Sequence, residues 1–284
     1  MSFDPPPRFD ELDAGRDPSA RLWADREFAA SLGRLGIARG GLDWIADPTR
    51  APGATPGLTG PGRAPAAVVT LPDRSERILL RALRHGGWWA GLWGARLAGP
   101  GRGGRELGAA ARLMERGAPV PRPVCLAQRR ARPGWQVAVG HLFLEDALDA
   151  RRWLEGEPGP RAVEGAARAA GRALRRFHDC GGRHRDLHVG NLLLRPGAET
   201  PEVWVVDLDG ARVGAPPSPA RRIRELMRLW RSLRKVRLAD RLGARGCAAF
   251  YGAYCSGDRA LRRGMARRLP IERARTALHA TRYG

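Results

Sequence analysis

The chain has 284 residues, 43% of them hydrophobic and 28% charged, with Lys+Arg 50 against Asp+Glu 29. That length allows one large domain or two smaller lobes, each with its own core. The formal net charge of +21 predicts attraction to polyanions such as nucleic acid, anionic lipid or phosphorylated glycans. Lys235 is the only lysine, so 50 − 1 = 49 basic residues are arginines, whose planar guanidinium forks onto phosphate and carboxylate.

The longest apolar stretches, near Gly86–Ala95 and Val137–Leu144, fall far short of the roughly 20 residues that a spanning helix needs. The start, MSFDPPPRFDELD, is acidic and proline-rich where a secretory signal needs a basic flank and an apolar core, so the chain is expected in the cytoplasm. Cys125, Cys180, Cys247 and Cys255 lack C-x-x-C spacing and are expected to be reduced and structural.

In chain order, residues 1–17 read as a loose arm and Pro18–Gly33 as an amphipathic helix with Ser19 near its start. A Pro/Gly-rich stretch, Ala51–Pro65, separates these from Ala66–Leu71 and Arg77–Leu83, apolar runs around the turn Pro72–Ser75 that predict a β-hairpin. Gly104–Arg116 has helical spacing in Leu107, Ala110, Leu113 and Met114, and stops at Gly117. Gln136–Leu144 is a run of strand length ending at Glu145 and Asp146, after which the character changes. Pro160–His178 reads as a long helix closed by Gly181 and Gly182, and the chain from about Ser218 is basic and helical. The pattern predicts a two-lobed α+β protein: an arm and helix over 1–55, a strand-rich lobe with one key helix over 56–145, and a mainly helical lobe over 146–284.

Directly after the long helix stands His184-Arg185-Asp186-Leu187-His188-Val189-Gly190-Asn191, which fits the H-R-D-L-x-x-x-N catalytic loop of kinases at every fixed position. Five specified residues arise by chance in roughly one chain of this length in ten thousand. Leu192–Leu194, a turn through Arg195–Glu202, and Val203–Val206 then lead to Asp207. If the two runs pair as an antiparallel hairpin, Asn191 and Asp207 are brought side by side. Two hard oxygen ligands so placed suit Mg²⁺ carrying a nucleotide triphosphate, ATP in a kinase, and leave Asp186 to orient the acceptor hydroxyl and take its proton. The bland alternative, Asp186 capping a turn and Asp207 ending a strand, would require both to coincide with the hairpin spacing.

A kinase also needs a cation for the α/β-phosphates, ordinarily a lysine held by a glutamate on a helix. Lys235 lies after Asp207 and cannot serve. Arg81 ends the run Ile78-Leu79-Leu80-Arg81 and Glu106 lies in the following helix, so Arg81–Glu106 is assigned as the substitute pair. Adenine is expected at the join between lobes, against backbone groups of Leu144, Glu145 and Ala147.

From about Gly62 to Tyr254, two-thirds of the chain, the sequence resembles the lipopolysaccharide kinase family, whose members phosphorylate inner-core sugars such as 3-deoxy-D-manno-octulosonic acid (Kdo). The resemblance rests on Leu80-Arg81-Ala82-Leu83-Arg84-His85-Gly86-Gly87, Arg105-Glu106, Gly117-Ala118-Pro119-Val120-Pro121-Arg122-Pro123, Phe177-His178-Asp179-Cys180-Gly181 and Leu226-Met227-Arg228-Leu229-Trp230-Arg231-Ser232-Leu233. It departs at Leu83 and His85, at Leu208 in Asp207-Leu208-Asp209-Gly210, and in the faint phosphate loop around Gly60 and Gly62. The resemblance implies a protein-kinase-like fold and ATP- and Mg²⁺-dependent transfer to a Kdo or heptose hydroxyl of an anionic glycolipid. It implies peripheral contact with an anionic membrane at the cytoplasmic face of the inner membrane, where positive charge is useful. Trp88, Trp89 and Trp93 are expected to meet lipid or sugar, or to be buried core.

Other readings are an aminoglycoside- or choline-type kinase, which shares the H-x-D-x-x-x-x-N and Asp arrangement, and a protein kinase. Against the latter, no A-P-E segment follows Asp207 and only about 14 residues separate it from the helix near Arg221. A nucleic-acid binder would explain the charge but not the loop, and the chain has none of the usual binding motifs, so no nucleic-acid partner is expected.

Overall fold

The computed structural model describes residues 5–14, 17–38, 42–56, 65–84, 96–197 and 200–283. The chain divides into two compact units, residues 1–111 with 121–143 and residues 112–120 with 144–284.

The first unit is built on β1 (Phe9–Leu12), β2 (Ala20–Asp25), helix α1 (Arg26–Leu35), β3 (Ala54–Pro56), β4 (Ala66–Thr70), β5 (Arg77–Ala82), helix α2 (Gly101–Glu115), β6 (Pro123–Arg130) and β7 (Trp135–Leu142). The strands make one antiparallel sheet in the order β1-β2-β6-β7-β5-β4-β3. Both faces are covered. On one, Leu22, Ala24, Ile78, Leu80 and Val124 pack with Phe28 and Leu32 of α1 and with Trp44. On the other, Trp23, Leu126, Val137 and Val139 meet Leu107 and Ala111 of α2. The helix lies close to the sheet because Gly103 has no side chain: a Cβ there would stand 2.7 Å from Leu126 Cδ1.

The hairpin expected from Pro72–Ser75 forms, pairing Ala66 with Arg81 through Thr70 with Arg77. The N-terminal reading is corrected. The supposed loose arm contains β1, and the supposed helix over Pro18–Gly33 is strand β2 followed by α1. Leu22, Trp23 and Ala24 are consecutive and all buried, because this strand contributes to the cores on both sides, and such a run has no period to distinguish strand from helix. Asp25 makes the break: its carboxylate accepts from Glu27 N–H at 3.1 Å as the N-cap of α1, and also from Arg8 Nε at 2.9 Å and Arg122 Nη2 at 3.0 Å. Strand β6 was also missed.

The second unit contains β8 (Leu148–Asp149), α3 (Ala150–Glu155), α4 (Pro160–Asp179), β9 (Gly182–Arg183), β10 (Leu192–Arg195), β11 (Glu202–Val205), β12 (Arg212–Val213), α5 (Pro219–Lys235), α6 (Ala239–Tyr254) and α7 (Arg259–Tyr283). Its short strands form two small sheets, β11-β10-β8 and β12-β9. Helix α4 begins with proline at its first turn, as its fixed φ favours. Among the described residues, no helix is long and apolar enough to cross a membrane. All four cysteines are free, as expected; burial pushes the Cys125 thiol up to about 12.

Candidate active site

The predicted hairpin is β10–β11, with Leu192 opposite Val205 and Arg195 opposite Glu202. One pair further along, Val206 N–H donates to Asn191 O at 3.0 Å, so Asp207 follows the residue directly across from Asn191. The fold brings these two candidates together as expected.

The loop before them is held from below while its acids face outward. Leu187 and Leu208 are buried, whereas Asp186 and Asp207, each beside one of these leucines, are exposed. Leu208, which departs from the commoner phenylalanine, therefore still anchors its segment. Asp207 has φ +58 and Gly210 φ +72, so the segment after β11 bends through the left-handed region twice; a non-glycine residue held there is strained. The Asn191 amide nitrogen donates to Asp186 O at 2.9 Å. That bond engages the amide's nitrogen and leaves its oxygen as the atom that could serve as a ligand. An amide oxygen and a carboxylate are a donor set that fits Mg²⁺, which takes one or two protein oxygens and completes its shell with phosphates and water.

His184 locks the loop's other side. Its Nε2–H donates to Val206 O at 3.0 Å and its Nδ1 accepts from Asp186 N–H at 3.2 Å, a pattern that only the neutral ring can make. Burial lowers its pKa, against the opposing pull of the Val206 carbonyl and nearby carboxylates. Glu225, buried on α5, accepts from His184 N–H at 2.9 Å and from His178 Nε2 at 3.2 Å, while His178 Nδ1 takes the Tyr254 hydroxyl at 2.6 Å. Ser232, also on α5, accepts from Val189 N–H at 2.9 Å and donates to Leu229 O at 2.7 Å. Sequence reasoning missed Glu225. The available signal was that it is the only acid in α5, set on the buried stripe with Arg222, Leu229 and Leu233.

In the first unit, Arg81 Nη2 donates to Glu106 Oε1 at 2.6 Å, joining β5 to α2 as predicted. The glutamate side chain is 1% exposed and the arginine 28%, so the carboxylate is the anchor and the guanidinium the half that a ligand can reach. His141, on β7 opposite Leu79, is pushed down to about 3, first by burial and then by the Arg81 charge.

The remaining candidates divide. After β7, Ala147 N–H closes a turn onto Leu144 O at 3.4 Å, passing through Glu145 and through Asp146 at φ +55. Gly60 and Gly62 lie outside the described residues, as do His85, Trp88, Trp89 and Trp93.

The histidines give a pH test. His141, His178 and His184 all have lowered pKa values, chiefly from burial. In the unfolded chain each takes up a proton near pH 6.5, in the folded chain only below that. As pH falls through about 6.5 the unfolded chain therefore binds more protons and stability is lost. The thermal midpoint is expected to fall by several degrees between about pH 7.5 and about pH 5.5, where carboxylates are still ionised. An unchanged midpoint would mean that the rings titrate alike in both states.

A model of the lipopolysaccharide kinase (Kdo/WaaP) family matches residues 73–254, well over half of the chain. The chain belongs to that family. Curated relatives include the 3-deoxy-D-manno-octulosonic acid kinases of Haemophilus influenzae (strain PittEE), 29% identical over 126 residues (44% of this chain, 50% of the relative), and of Xanthomonas campestris pv. campestris (strain B100), 32% identical over 165 residues (56% of this chain, 62% of the relative). The chain thus spans about half to three-fifths of the length of these relatives. The solved structure of WaaP in complex with acyl carrier protein is 21% identical, with a TM-score of 0.57, over 90% of this chain and 98% of that one. That likeness establishes a kinase-like α+β fold for this member of the family.

Proposed function

We propose that the protein transfers the γ-phosphoryl group of ATP to a Kdo or heptose hydroxyl of a lipopolysaccharide inner-core glycolipid. The observation that carries the proposal is the register of β10 on β11, which sets Asn191 beside Asp207 next to the Asp186 loop. ATP supplies the phosphoryl group and Mg²⁺ the countercharge to its triphosphate. Asp186 orients the acceptor oxygen toward phosphorus and takes its proton as the new P–O bond forms and the bond from the γ-phosphorus to the departing ADP breaks. Asn191 and Asp207 hold the metal, and Arg81, steadied by Glu106, holds the α/β-phosphates. Backbone groups of Leu144, Glu145 and Ala147 receive the base.

The substrate's membrane also fits the charge. On α7, Arg259, Arg262, Arg263, Arg267 and Arg268 are exposed, and Ile271 beside them is 45% exposed. Each basic residue near an anionic surface contributes about 1 kcal/mol of attraction. The protein is therefore read as peripheral, at the cytoplasmic face of the inner membrane.

Radiolabelled ATP offered with Kdo-lipid A, an aminoglycoside and choline panel, or peptides tests the acceptor class. Label is expected in Kdo-lipid A; label in the amine panel instead would replace the proposal with the small-molecule kinase reading. The metal assignment has its own test. Asp207→Asn removes a charged ligand, so its residual activity is expected to need far more Mg²⁺ than the wild type. An unchanged Mg²⁺ titration would take Asp207 out of the metal site.

A further inference from the structure

Arginines 183, 185 and 212 have no part in the roles assigned above. Arg183 on β9 is the direct cross-strand partner of Arg212 on β12. Opposite residues of an antiparallel pair project to the same side with their Cβ atoms roughly 5 Å apart, and like charges placed so destabilise the pairing. Arg185 adds a third charge: its chain lies over Gly210, where a Cβ would come within 3.3 Å of Arg185 Cδ. Gly210 thus leaves room for a guanidinium stem two residues before Arg212.

Several arginines of this unit have acids. Arg175 pairs with Asp179 and Asp258, Arg222 with Asp179, and Arg195 with Glu202. Among the described residues, Arg183, Arg185 and Arg212 have no acidic partner, and Arg183 Nε is buried without a hydrogen-bond acceptor. A buried donor left unmade is costly, and one in a cluster of like charge more so, unless a ligand supplies the acceptor.

The place of the cluster indicates which ligand. Strand β9 runs directly into the loop that carries Asp186, and β12 starts five residues after Asp207, so each strand of the ribbon continues from one of the two acid-bearing segments. We propose that Arg183, Arg185 and Arg212 form a subsite for an anionic group of the acceptor, a carboxylate or phosphate, that fixes the acceptor hydroxyl over Asp186. The guanidinium fork matches either group. The proposal rests on the glycolipid reading and deepens it, because three clustered cations would repel the cationic aminoglycosides and choline while favouring an acidic sugar.

Two measurements test it, one of them independent of activity. In calorimetry and thermal melts, inorganic phosphate and free Kdo are expected to bind and stabilise the wild type, and Arg212→Gln is expected to weaken both by about tenfold. Without anion, Arg212→Gln should melt higher than the wild type, since the cross-strand repulsion is relieved, an outcome that rules out mere misfolding. In turnover, Arg212→Gln and Arg185→Gln are expected to raise KM for Kdo-lipid A by about tenfold with calorimetric ATP affinity unchanged. Esterifying the Kdo carboxylate, or removing the lipid A phosphates, separates the sources: the group that matters is the one whose loss costs the wild type as much as Arg212→Gln does. Unchanged phosphate and Kdo binding in Arg212→Gln would overturn the subsite. If the wild type phosphorylates neither Kdo-lipid A nor its heptose-extended form, the glycolipid reading fails, and the phosphate arm still decides whether the subsite exists.

Discussion

Replacing Asp186 by alanine is expected to lower kcat by about 10²–10⁴ while leaving ATP affinity, measured by calorimetry, nearly unchanged. A general base that positions the acceptor acts in the transition state and adds little to nucleotide binding. The substitution is also a clean one. Asp186 contributes its backbone, not its carboxylate, to the loop's framework: its N–H goes to His184 Nδ1 at 3.2 Å and its C=O takes the Asn191 amide at 2.9 Å. Leu187 remains buried and Val189 remains tied to Ser232. Truncating the exposed carboxylate therefore removes the chemistry and keeps the loop. A variant that retains more than roughly a tenth of wild-type turnover would take Asp186 out of the mechanism.

Arg81→Ala and Glu106→Ala are expected each to raise the apparent KM for ATP and lower kcat, with the double mutant clearly less than additive. The two side chains meet at 2.6 Å, with the carboxylate almost wholly buried and the guanidinium partly exposed. Without Glu106, Arg81 loses the contact that aims it; without Arg81, the glutamate has no cation to aim. Coupled pairs of this kind show interaction energies of about 0.5–3 kcal/mol, against near-additivity for independent sites. Arg81→Lys is not conservative here, because the fork and its reach are lost although the charge remains. Losses that simply sum would mark Arg81 and Glu106 as independent residues and move the search for the phosphate cation to Arg84, Arg63 and Arg185.

What the sequence made legible was local. The catalytic loop is contiguous, and the β10–β11 hairpin has both strands and its turn within a single stretch, so strand period and turn chemistry sufficed to bring Asn191 to Asp207. Arg81 and Glu106 could be paired because a kinase demands a cation and the chain has no suitable lysine. What stayed hidden was non-local. Strand β2 pairs with β6, whose residues come about a hundred later in the chain, and neither strand alternates, because both contribute to cores on the two sides of the sheet. The hold of Glu225 and Ser232 on the catalytic loop joins residues about forty apart, and only the packing of α5 shows it. The cross-strand meeting of Arg183 and Arg212 is hidden for the same reason, since two-residue strands leave no pattern.

The most direct test of the account is mass spectrometry of Kdo-lipid A and of its heptose-extended form after incubation with ATP and Mg²⁺, using the wild type and Asp186→Ala side by side. The account predicts that the wild type adds one phosphate to the Kdo or heptose part of the glycolipid and that Asp186→Ala, still binding ATP, adds almost none. A phosphate added equally by both proteins, or both glycolipids left unmodified by a wild type that phosphorylates another acceptor, would contradict it.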